Sequence, residues 1–188
     1  AIAFSTTVFT SSTAALSGSS QWDNAASDPV SAAMDAKDAI IQASGEDPNV
    51  AIMGYEVYTA LRQHPLILEY VSRTTNSVGI VSNEDIARAL DVETIWVGKA
   101  VANKNVDGQT TDNQYIWGKF CLFARLRSSP APMTPQSCLQ RWRFQGSTDG
   151  AVRRWEPTPY VEQVDMLWND QFSAPTTDLG YLYSTVVS

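Results

Sequence analysis

The chain has 188 residues, 44% apolar and 18% charged, a composition that excludes a disordered polypeptide and suits one domain or two small lobes. Lys and Arg number 13 against 20 Asp and Glu, and the net charge of −7 argues against a protein that grips nucleic acid through clustered cations. One histidine and two cysteines exclude most zinc sites and any disulfide-rich scaffold. No run approaches about 18 consecutive apolar residues, so no membrane-spanning helix is expected.

The chain opens on Ala1, and residues 1–16 lack the basic start and apolar run of a signal peptide, so a cut chain is expected. This Ser-, Thr- and Ala-rich stretch reads as an extended arm or an edge strand. Asp28-Pro29 is a helix start, with Asp28 as cap and Pro29 in the first turn. Val30, Ala33, Met34, Ile40 and Ile41 form the apolar stripe of that helix, and Gly45 stops it. Val50-Ala51-Ile52-Met53 is a short apolar run bounded by Gly54 and reads as a buried strand. A helix follows from Tyr55 to about Gln63, broken at His64-Pro65, because a residue before proline avoids the helical region. Pro65 opens a second short helix with Leu66, Ile67 and Tyr70. Ser82 with Asp85 is a capping-box pattern ahead of Ile86, Ala89 and Leu90.

Thr94 to Val101 and Tyr115 to Leu126 read as strands separated by a polar loop containing Asp107-Gly108. Ser128 to Pro135 reads as a linker, and beyond it the pattern is all strand. Arg141-Trp142-Arg143-Phe144 alternates as a half-buried strand does, and Asp149-Gly150 is a hairpin signal. Val161 to Trp168 and Leu179 to Val187 are further strands.

Chemistry is sparse. His64 is the sole histidine, but no G-x-S-x-G elbow accompanies it, and its place before a proline suits a capping or surface role. Cys121 and Cys138 are expected as reduced thiols, Cys121 buried in a strand. Asp165, Asp170 and Asp178 have no diagnostic spacing, and glycine-rich phosphate loops are absent. No cofactor or metal is expected. Arg141, Arg143, Arg153 and Arg154 are four of the 13 cations within 14 residues. They suit ion pairs with a neighbouring subunit, since the planar guanidinium holds carboxylates bidentately, or plain solvated surface. Trp22 and Trp155, large aromatics on extended segments, either anchor a subunit contact or fill the core beneath the long helix.

The order of these motifs resembles the major capsid proteins of tailed bacteriophages, the Hong Kong 97-like fold. Trp22 and Ser27-Asp28-Pro29 precede a long helix like that family's spine helix. Gly45-Glu46-Asp47-Pro48-Asn49 through Gly54 is similar to its G-x-x-P-N-x-x-x-x-G entry to the next domain, and Leu61 to Pro65 to its L-x-x-H-P helix end. Leu90 to Ala100, with Tyr115 to Lys119, resembles its central strand pair, and Asp178-Leu179-Gly180-Tyr181-Leu182 its D-x-G-Y-L terminal strand. The resemblance implies an α+β fold. Residues 1–27 would be a residual arm, 28–48 the spine helix of a peripheral domain, 49–128 an α/β axial domain, and 129–188 the peripheral C-terminal strands. It implies a non-enzymatic virion subunit, assembled in the host cytoplasm into pentamers and hexamers around double-stranded DNA. Its partners would be copies of itself and scaffolding, portal or cement proteins, with no membrane and no sequence-specific DNA contact. Only 27 residues precede Asp28, where family members carry an arm and an extended loop, so the expectation is of a truncated or processed subunit. The alternatives are an encapsulin-like compartment shell, a phage tail or connector protein, and a small α/β enzyme using carboxylates.

Overall fold

The computed structural model describes the backbone of residues 9, 12–75, 81–106, 108–128, 137–143, 151–158, 161–167 and 170–188. It describes their side chains except at 74–75, 143, 151–158, 161–167 and 170. In chain order the elements are β1 (Thr13–Ala15), α1 (Pro29–Ser44), β2 (Val50–Gly54), α2 (Tyr55–Gln63), α3 (Pro65–Thr75), α4 (Asn83–Ala89), β3 (Thr94–Gly98), β4 (Val101–Asn103), β5 (Asn113–Tyr115), β6 (Cys121–Ala124), β7 (Gln140–Arg143), β8 (Ala151–Thr158), β9 (Val161–Leu167), β10 (Asp170–Ser173) and β11 (Gly180–Ser184).

The first helix forms for the local reasons its sequence gives. Asp28 accepts hydrogen bonds from the amides of Val30 and Ser31 at 3.1 and 3.0 Å. Gly45 closes the helix at φ 74°, its N–H reaching Ile41 O, a conformation only glycine enters cheaply. Its buried stripe is Pro29, Ala33, Ala36 and Ile40. Met34 and Ile41, expected in that stripe, are exposed. Small Ala33 and Ala36 bring the helix close to the sheet, where the Tyr183 hydroxyl donates to Ala32 O at 2.8 Å. The capping box at Ser82 and Asp85 also forms, and the Ser82 hydroxyl and amide hold the Asp85 carboxyl below its ordinary range.

Five strands make the central sheet, in the order β1-β11-β6-β2-β3. β2 and β3 are parallel, so a crossover is required, and α2, α3 and α4 supply it. β6 runs antiparallel to both β2 and β11, while β1 lies parallel to β11. The apolar runs of β2 and β6 are continuous because both sheet faces are covered. Ala51, Met53, Cys121, Phe123 and Tyr183 face the helices together with Trp22. Val50, Ile52, Leu122, Ala124 and Leu182 face the other way, against Phe9, Cys138 and Leu179.

Asn49 ties the entry to β2. Its side-chain amide donates to Leu126 O at 3.0 Å and accepts from Leu126 N–H at 2.8 Å. Its backbone N–H meets Ala124 O, and its carbonyl accepts from Glu93 and Thr94. Beside it Glu46 pairs with Arg127 at 2.8 Å and with Arg125 at 3.6 Å. The last residue of β2 must be glycine, since a Cβ on Gly54 would lie 1.8 Å from Gly118 O.

In the central sheet β11, from residues 129–188, lies between β1 and β6. The structure departs from the sequence reading in several places. The two long central strands are each split, and the polar loop between them holds the hairpin β4–β5, with Gly108 at φ 92°. Trp22 is not at the surface. It is 1% exposed, its ring 5.9 Å from that of Tyr183 and its amide donating to Val186 O. In the tail β10 pairs with β7 and β8 with β9, each pair antiparallel. Phe144, Asp149-Gly150 and Trp168 lie outside the described residues.

Asn49→Ala removes both side-chain bonds to Leu126 and leaves its peptide groups unpaired. A loss of about 2–3 kcal/mol in urea unfolding is expected, and Asn49→Asp, which keeps only the acceptor, should lose less than the alanine variant.

Candidate functional site

The reactive side chains are sealed or already committed. His64 and Ser27 are 2% and 4% exposed, and Ser27 Oγ lies 3.2 Å from His64 Nε2. The proton roles do not suit a nucleophile and its base. His64 Nδ1 accepts from Leu66 N–H at 3.3 Å, which assigns the ring proton to Nε2, within 3.2 Å of Asn24 O. Ser27 Oγ itself donates to Asn24 O at 2.8 Å. His64 therefore caps α3 and fastens the segment before α1 to the helices. It is a buried capping group rather than a surface one.

Both cysteines are free and buried. Burial pushes the Cys138 thiol up to about 12 and raises Cys121 further, so neither supplies a thiolate near neutral pH. The candidate acids are dispersed. Asp178 is exposed, while Asp165 and Asp170 sit on β9 and β10 in register with Arg153 and Arg143. Opposite charges placed directly across a ladder stabilise it. Among the described residues no group of three His, Cys, Asp or Glu could hold a metal ion, and no helix is long and apolar enough to cross a membrane.

Arg141 and Arg143 are on β7, and Arg153 and Arg154 on β8, in separate two-stranded sheets. The Arg141 guanidinium lies over the Phe172 ring, 5.9 Å from its centroid. Trp155 stands opposite Gln163 in the β8–β9 ladder.

The feature absent from the sequence reading is a groove of about 780 Å³ on the sheet face away from the helices. Its walls come from six separated stretches of chain, around Val50, Trp96, Ile116, Leu126, Gln140 and Phe172. Trp96, Ile116 and Phe172 are 51%, 54% and 60% exposed. Arg127 and Arg141 bring positive charge to the lining, and its described residues include no carboxylate, histidine or cysteine. Such a surface binds and positions. Its polar groups are the hydroxyls of Ser128, Ser137 and Ser173, the amides of Asn49 and Gln140, and the two guanidinium groups.

Comparison with known proteins gives a consistent direction. The chain is 33% identical over 108 residues to a major capsid protein of Pseudomonas phage JBD67, covering 57% of this chain and 34% of that protein. It is 34% identical over 103 residues to a major capsid protein of Burkholderia phage BcepMu, covering 55% of this chain and 32% of that protein. The match thus spans about a third of the length of these relatives. Its fold is similar to the crystal structure of a phage-related protein from Bordetella bronchiseptica RB50. The TM-score is 0.84 at 22% identity, over 98% of this chain and 60% of that one. No family model matches.

Native protein at pH 8 should leave both thiols unreacted with a disulfide reagent over minutes, and unfolded protein should titrate both at once. Fast reaction of either thiol in the native state would contradict the sealed core described above.

Proposed function

We propose that this chain is part of a structural subunit of an icosahedral tailed-phage capsid with the Hong Kong 97-like fold. Copies of it join as pentamers and hexamers into a virion shell around double-stranded DNA. The observation that carries this reading is the 33–34% identity to two phage major capsid proteins. The α+β fold shared with a phage-related protein supports it. So does the distribution of chemistry: the histidine and both cysteines are inside, and several large apolar side chains, among them Trp96, Ile116, Trp142 and Phe172, are exposed. A shell subunit needs a stiff body and wide complementary edges of about 1,200–2,000 Å² per stable contact, and it needs no catalytic pocket.

On this reading α1 is the spine, packed along β11, and β7 to β10 belong to the peripheral region. Arg141, Arg143, Arg153, Arg154 and Trp155 contribute to contacts between copies. Trp22 does so only by holding the body together. Scaffolding, portal or cement proteins would be the further partners, and assembly would take place in the host cytoplasm. The acidic balance would let packaged DNA slide along the wall without being gripped.

Electron microscopy of the complete gene product tests the reading. Rings or closed shells are expected, and monodisperse monomers across a range of salt and concentration would overturn it. Reversing Arg153 and Arg154 to Glu should raise the concentration needed for assembly about tenfold, equivalent to about 1.4 kcal/mol. The subunit's own circular dichroism spectrum should not change.

A further inference from the structure

The segment that joins β3 to β6 stands away from the body. From Lys99 to Ile116 no described residue is buried, and all but Asn105 are exposed. That includes every strand residue of the β4–β5 hairpin. A two-stranded hairpin with nothing packed on it is marginal in water, yet this one is fixed at both ends. At its base the Tyr115 ring lies 5.5 Å from that of Tyr55 on α2, and Ile116 N–H donates to Ala100 O at 2.9 Å. At its far end the Lys104 amide donates to Asp112 O at 3.0 Å, and Asn103 Oδ1 accepts from the amides of Asn105 and Asp112, each at 3.1 Å. The Asn105 side chain donates to Thr110 O, and Gln109 N–H to Val106 O. The loop is ordered before any partner arrives, so a contact made through it loses little conformational entropy.

This ordered arm presents apolar side chains. Val106, beside the turn, is 75% exposed, more than any other large apolar residue among the described ones. Val101 is exposed at the base, and Trp96 and Ile116 carry the apolar surface on into the groove wall. Single apolar residues on a surface are ordinary, but a strip continuous with a groove marks a surface that another chain covers.

Charge and size identify that chain as a second copy. Lys99 and Lys104 balance Asp107 and Asp112, so residues 96–116 carry no net charge, whereas the whole chain carries −7. The strip has no excess of cations for a phosphate backbone. Two acidic copies meet with least repulsion across such a neutral surface. At about 20 residues the strip also reaches the ~20–30 that each side of a stable interface uses. We propose that the Trp96–Ile116 strip is a contact between copies, with the β4–β5 hairpin reaching onto the neighbouring subunit. The proposal rests on the capsid reading and names one joint of the shell.

The test uses the complete gene product under assembly conditions. With Val106 replaced by a benzophenone-bearing amino acid, ultraviolet irradiation of particles should link two copies, one end of each link lying at position 106. Amides of residues 101–106 and 108–115 should exchange about tenfold more slowly in particles than in the free subunit. Val106→Asp should lower particle yield about tenfold, because the joint would bury an unpaired carboxylate. It should leave thermal unfolding of the subunit unchanged, since Val106 is exposed, and Val106→Leu should assemble normally. Particles whose hairpin amides exchange as fast as in the free subunit, or whose position 106 links to no second copy, would overturn the joint and leave the capsid reading standing. Normal assembly of Val106→Asp would do the same. Absence of particles from the parent protein would overturn both.

Discussion

The structure depends on the insertion of β11 between β1 and β6. That strand lies close to the C-terminal end of the sequence, yet it sits in the middle of the sheet, paired on both sides. Its register on β6 sets Leu182 against Leu122 and Tyr183 against Cys121, and its side chains divide between the two cores. Tyr183 faces the helices and is hydrogen-bonded to α1, so one residue links sheet, spine helix and Trp22. Leu182 faces the opposite layer with Phe9 and Cys138. The beginning, middle and end of the chain are therefore held in one body. Contacts so distant in sequence cost loop-closure entropy, which is repaid only when the whole set forms.

A body of this kind has two unlike sides. The helical side is closed by α1 to α4 and holds the sole histidine in a capping role. The other side carries a thinner cover and the apolar groove beside it. Three two-stranded ribbons, β4–β5, β7–β10 and β8–β9, complete the described strands. A packed centre with exposed apolar surface and ribbons is consistent with the proposed role as a tile. Large exposed apolar patches on an acidic protein mark surfaces that other chains cover.

What the sequence disclosed was local. The caps at Asp28 and Gly45 and the box at Ser82 and Asp85 are short-range hydrogen-bonding patterns, and all of them form. The runs Val50–Met53 and Cys121–Ala124 were readable as buried strands because continuous apolar residues need cover on both faces. The sequence could not choose between a contact and a core role for Trp22, because an aromatic on an irregular segment has no period to reveal its direction; in the fold its backbone pairs with Val186 and its ring is buried. The β4–β5 hairpin was hidden because its strands are three residues long and exposed on both faces, with no buried side to set a pattern. The groove was invisible in principle, since its walls are brought together from separate segments by the sheet order alone. Resemblance to a known family supplied the proposed function, because motif order carries information that residue chemistry does not.

Amide hydrogen exchange resolved along the chain tests the central claim most directly. If β11 locks both ends of the chain into one cooperative body, residues 180–184 exchange as slowly as 51–54 and 121–124, all through global opening. Exchange of 180–184 orders of magnitude faster, with the other two strands still protected, would mean the terminal strand is an appendage and would contradict the account.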